Sequence, residues 1–171
     1  MTFSPNASIS PTVVYITSRG HSGSTLLSLM LGGHSQVVSG GELKMLINAK
    51  AESKLCGCHF VTPDQCPFWS QVQHHVIDSV GVPLDELALM EDGDDETFLR
   101  HNQALFTAIA EVSGCSIVVD SSKSLMRLSR LLRAQENGCF INVQPIHLHS
   151  CPLYTSPSPR DLSTSRMPSS A

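Results

Sequence analysis

Residues 13–26, Val-Val-Tyr-Ile-Thr-Ser-Arg-Gly-His-Ser-Gly-Ser-Thr-Leu, constrain the fold more than any other stretch of the chain. A β-branched apolar run passes through a Gly/Ser turn straight into a leucine-rich helical pattern. Val13, Val14, Tyr15 and Ile16 show no clean alternation, which marks a central strand covered on both faces. The turn's amides then converge at a helix N-terminus, where free N–H groups and the positive end of the helix dipole favour an anion. Ser22, Ser24 and Thr25 add hydroxyl donors without bulk.

The rest of the pattern extends this start into an α/β chain. The first helix spans Ser24 to Leu31 and stops at Gly32-Gly33, where a left-handed cap is expected; its many leucines leave almost no polar face, so protein is expected to cover it. Residues 42–52 read as a short helix. Periodicity vanishes between Cys56 and Pro67, then helical character returns over 69–80. The acidic run 91–96 opens a helix whose apolar stripe continues to Val112. A strand at Ser116–Asp120, a helix at Leu125–Glu136 and a strand at Phe140–Leu148 follow, with Pro145 either placing the last near a sheet edge or marking an irregularity in it. Alternating strands and helices predict a three-layer, P-loop-like fold, a parallel sheet flanked by helices with ligands at the carboxyl ends of the strands.

Composition narrows the partners. A net charge of −4 and a pI near 6.0 leave no broad basic field for nucleic acid or an anionic membrane, so any anion site is local. Residues 1–12 are polar, without a secretory pattern, and read as a flexible N-terminus; no run approaches the ~20 apolar residues of a membrane helix. These features point to a soluble, cytoplasmic protein in which the six cysteines are thiols or ligands. Cys115 and Cys139, beside strands, read as small buried groups. Residues 149–171, rich in proline and serine, read as disordered and non-native, and 153–171 look like a translated sequencing adapter. The folded unit expected is therefore 13–148, a domain incomplete at its C-terminus.

The order His21-Ser22-Gly23-Ser24-Thr25-Leu26 resembles the phosphosulfate-binding loop of the sulfotransferases. Gln36–Leu43 resembles the second strand and turn of that family, with Glu42 where protein-tyrosine sulfotransferases carry their catalytic glutamate. Cys56-Gly57-Cys58, Cys66-Pro67-Phe68-Trp69 and Ile117–Ser124 resemble segments of one of its branches. The resemblance implies 3′-phosphoadenosine 5′-phosphosulfate (PAPS) as sulfuryl donor and a small-molecule, carbohydrate, lipid or protein acceptor. It implies Glu42 as base, His21 and Lys123 as catalytic cations, and Arg19, Gly20, His21, Ser22, Gly23, Ser24, Thr25, Ser121 and Ser122 as the cofactor's contacts. The family's Arg-Asp-Pro-Arg segment, which grips the 3′-phosphate after the strand resembling Ile146–Leu148, is missing, so this chain is expected to be a poor catalyst.

Each residue also has a plainer reading. Arg19 competes with His21 as the loop's cation, because imidazole is only partly charged near neutrality. Glu42 could simply satisfy a helix dipole, and Asp120–Lys123 could be a strand end running into a helix cap. Arg127, Arg130 and Arg133, at i, i+3 and i+6, read as a solvated helix face. Cys56, Cys58, His59 and Cys66 are weak zinc candidates, with free thiols or one disulfide favoured. Two other functions stay open: a P-loop NTPase or small-molecule kinase, opposed by the absence of a lysine before Ser24, and a non-catalytic nucleotide- or metal-binding module.

Overall fold

A computed structural model describes residues 10–48, 65–90, 93–138 and 141–149. Four strands, β1 (Thr12–Ser18), β2 (Val37–Ser39), β3 (Ile117–Asp120) and β4 (Asn142–Leu148), form an all-parallel sheet in the order β2-β3-β1-β4. The helices between them are α1 (Ser24–Leu31), α2 (Pro67–Val80), α3 (Asp95–Ser113) and α4 (Leu125–Glu136), with 3₁₀ turns at Leu43–Asn48 and Leu84–Glu86. The α/β architecture read from the sequence is present, and β4 lies at an edge, where Pro145 costs no ladder bond to a further strand.

Right-handed crossovers fix the layers. The connection from β1 to β2 runs toward one edge and those from β2 to β3 and β3 to β4 run toward the other, so α1 lies on the face opposite α3 and α4. Side chains agree with this. Val13, Tyr15, Val118 and Val143 face one way into a core with Trp69, Phe98, Phe106 and Leu131, whereas Ser39 faces α1, its hydroxyl 2.7 Å from that of Ser28. α3 begins where the sequence placed negative charge: Asp94 caps it, accepting from the Thr97 amide at 2.8 Å.

Four expectations fail. α1 ends at Gly32 in a right-handed conformation, with φ of −66°, and not in a left-handed cap. Of the helix expected over 42–52, the described part is a 3₁₀ turn over Leu43–Asn48, and 49–52 lie outside the described residues. The covered α1 is not found either: Leu26, Leu29 and Met30 are 63, 64 and 69% exposed. Small residues explain this, since Ser24 and Ser28 are the buried positions of α1. At Gly32 an added Cβ would stand 2.9 Å from the Ser39 Cβ. The helix sits close on the sheet through this serine-glycine stripe, which turns its leucines outward. Cys115 is half-buried, its Sγ directed at backbone carbonyls, rather than fully enclosed.

Candidate functional site

In an open parallel sheet, the crevice for a ligand lies where neighbouring strands send their connections in opposite directions. Here those strands are β1, whose chain leaves toward β2, and β3, whose chain leaves toward β4. The Arg19–Gly23 loop and the 121–124 turn follow these two strands directly, so both lie at that point.

The loop is built to keep its amides free. His21 and Gly23 take left-handed conformations, with φ of 62° and 86°, and Gly23 caps α1 without any side-chain cap. Ser22 folds back, its hydroxyl donating to the Arg19 carbonyl at 2.6 Å. Among the described residues, no acceptor outside the loop itself and α1 takes the amides of residues 20–25. An added Cβ at Gly20 or Gly23 would meet nothing within 4 Å, so the loop borders open space. These are the conditions for anion binding at a helix N-terminus. Arg19 and His21 are exposed there and form no ion pair among the described residues, whereas Ser24 is buried and Thr25 exposed.

The second wall comes from the turn after β2. The Gly40 amide donates to the Val119 carbonyl at 2.9 Å, and the Ser121 amide donates to the Gly41 carbonyl at 2.8 Å, which locks the two turns side by side. Glu42 and Lys123, 81 residues apart in sequence, meet in an ion pair between Lys123 Nζ and Glu42 Oε1. Lys44 Nζ lies 3.9 Å from Glu42 Oε2. All three side chains remain partly exposed, so the pair is open to a ligand. Lys123 itself is left-handed, with φ of 64°, an uncommon conformation for a residue carrying a Cβ.

Beneath the pair lies a polar network that the sequence concealed. Asp120 and Arg127 are both fully buried. Arg127 donates from Nε and Nη2 to Asp120 Oδ2, at 3.3 and 3.0 Å, and from Nη1 to the Leu89 carbonyl. Asp120 Oδ1 accepts from the amide of Ser122 at 2.9 Å and from its hydroxyl, and that hydroxyl accepts from the Lys44 amide at 3.0 Å. The Tyr15 hydroxyl donates to the Ser124 carbonyl at 2.9 Å; burial, with Asp120 nearby, holds its pKa far above the ordinary phenol value.

These contacts correct two readings. Arg127 does not belong to a solvated face; only Arg133 is exposed, while Arg130 packs over the Phe98 ring at 4.0 Å and binds Asp95 at 2.8 Å. The hint was positional, because Arg127 precedes Leu128 and Leu131 on the same buried stripe of α4. Nor is the Ser122 hydroxyl turned to the open site: it is buried and committed to Asp120 and Lys44, and Ser121 is buried beside it. The helix cap is Ser124, whose Oγ accepts from the Arg127 amide at 3.3 Å. Lys44 was missed as a partner of Glu42, for its position two residues on carries no sequence signal.

Cys56, Cys58 and His59 lie outside the described residues. Cys66, the fourth zinc candidate, is buried at the start of α2, and the described residues contain no group of three side chains that could hold a metal ion. A cavity of about 250 Å³ between α3 and α4, lined by Phe98, Arg130 and Arg133 among others, includes none of the loop, Glu42 or Lys123. No helix among the described residues is long and apolar enough to cross a membrane. Searches against protein-family models, curated proteins and solved structures found no match to the chain.

Proposed function

We propose that this chain belongs to the PAPS-dependent sulfotransferases and moves a sulfuryl group onto an acceptor hydroxyl or amine, at a low rate for want of the Arg-Asp-Pro-Arg segment. One observation carries the reading: a carboxylate-lysine pair, Glu42–Lys123, stands at the same strand ends as a loop with unclaimed amides and open space above it. The loop fits an anionic donor, because nothing packs over Gly20 or Gly23 and the exposed Arg19 guanidinium and His21 imidazole flank the N–H groups. The amides of residues 22–25 would hold the 5′-phosphate, with the Thr25 hydroxyl beside them. PAPS, when bound, supplies a sulfuryl group already activated by its phosphate leaving group.

The chain's own residues do the rest. Glu42 accepts the proton as the acceptor O–H or N–H bond breaks and the new bond to sulfur forms. The sulfur–oxygen bond to phosphate breaks in the same event, and Lys123 balances the charge gained by the departing phosphate. Lys123 holds the Glu42 carboxylate in place until the acceptor arrives. The products are a sulfated acceptor and adenosine 3′,5′-bisphosphate.

Calorimetry and radiolabelled transfer test this reading together. Adenosine 3′,5′-bisphosphate is expected to bind the chain and ATP not to; binding of ATP alone would replace the reading with a phosphate-loop NTPase or kinase. Glu42→Gln is expected to leave bisphosphate binding intact and to lower the transfer rate about 10²- to 10⁴-fold, the usual contribution of a general base. Equal transfer by Glu42→Gln and the parent chain would remove Glu42 from the mechanism, and stoichiometric metal uptake without nucleotide binding would favour a binding module.

A further inference from the structure

We propose that Arg127 and Asp120 are positioning residues that hold Lys123 and Glu42 together, an inference that rests on the reading of Glu42–Lys123 as the working pair. Neither buried residue reaches the open space of the site. Their effect passes through hydrogen bonds. The guanidinium fork orients the Asp120 carboxylate, whose other oxygen takes both the amide and the hydroxyl of Ser122. The Ser122 hydroxyl in turn accepts from the amide of Lys44, two residues beyond Glu42.

One continuous chain of bonds therefore runs from α4 through the end of β3 to the segment that carries the carboxylate. It crosses the two turns on either side of the ion pair, and the Ser121 amide to Gly41 carbonyl bond adds a second tie. Lys123 sits between these ties in its left-handed conformation. Its amide donates to the Ile16 carbonyl at 3.3 Å, and its carbonyl accepts from the Thr17 hydroxyl at 3.5 Å. Such backbone strain persists only where the surroundings over-determine it, and the network beneath supplies that constraint.

Stability alone gives little reason for the pair, since a well-packed apolar replacement of a buried ion pair is often neutral or stabilising. Arginine is needed for its planar fork. A lysine at 127 would keep the charge but could not bind Asp120 through two nitrogens while reaching the Leu89 carbonyl with a third.

Competitive acetylation of Lys123 on the whole chain, read by mass spectrometry against the denatured chain, tests the inference without any turnover. In the parent chain the Glu42 contact is expected to protect Lys123, and Glu42→Gln sets the unprotected rate, about two- to fivefold higher for a partly exposed ion pair. Arg127→Lys is expected to raise acetylation to that same level while the protein still melts cooperatively and binds adenosine 3′,5′-bisphosphate as before, because the loop amides belong to a different connection. Ser122→Ala, which removes only the relay hydroxyl, is expected to do the same and decides the matter if Arg127→Lys does not fold. Parent-level protection in a folded Arg127→Lys chain, or in Ser122→Ala where the first does not fold, would overturn the inference. Failure of the parent chain to bind the bisphosphate would instead count against the sulfotransferase reading and leave the acetylation result standing.

Discussion

Replacing Arg127 by methionine is expected to be the most damaging single change in the sheet's surroundings. The side chain is fully buried and so is Asp120, and in the variant Asp120 Oδ2 loses both of its donors while the Leu89 carbonyl loses a third bond. Methionine fills much of the volume, so the loss is electrostatic rather than a cavity. Removing one partner of a buried ion pair costs about 3–5 kcal/mol, because the remaining charge stays desolvated. At about 2–4 °C per kcal/mol for a domain of this size, melting should drop by about 6–20 °C. Urea unfolding followed by circular dichroism gives the free energy directly, with the slope m serving as the check that both proteins unfold from equally compact states. The double variant Arg127→Met/Asp120→Asn should recover most of the loss, since a neutral amide is far less costly to bury than a lone carboxylate. A loss below about 1 kcal/mol for Arg127→Met, in the range of an exposed pair, would refute the argument that this bond network is sealed from water.

Acidification should weaken the fold through His101, a buried residue whose Nδ1 accepts from the Ala88 amide at 2.9 Å. Burial, and then Arg100, hold its pKa below the ordinary imidazole value of 6.5, so the unfolded chain takes up a proton that the folded one refuses. Stability is therefore complete above the ordinary imidazole range and declines as the pH falls through it; a His101→Gln variant should lose that part of the slope in melts recorded across this range. On the other face, Leu26→Gln and Met30→Gln should change stability by no more than about 0.5 kcal/mol, because both side chains are already largely exposed; a large loss in urea unfolding would mean that α1 is covered.

Local signals were legible wherever neighbours in sequence decide the outcome. The β-branched run at 13–16, the end of α1 at Gly32 and the start of α3 behind the acidic run each follow from short-range sterics and hydrogen bonding, and the structure has them in place, although α1 ends without the left-handed glycine. The parallel sheet followed from the alternation of strands and helices. Side-chain direction was harder. On α1 the leucine count pointed to a covered helix, whereas the small Ser24-Ser28-Gly32 stripe won the sheet-facing side by permitting close approach. On α4 three arginines at regular spacing looked alike, yet one is sealed against Asp120, one packs over Phe98 and one is exposed.

Sequence by itself determined the strand-turn-helix that frees the loop amides, because left-handed glycine and a helix start are set by a handful of adjacent residues. Only the tertiary structure decided that Glu42 meets Lys123, that Lys44 joins them, and that Ser122 turns inward to Asp120 and away from solvent. The reason is physical: those contacts depend on which strands become neighbours, and β3 came to lie between β1 and β2 through packing across the whole sheet.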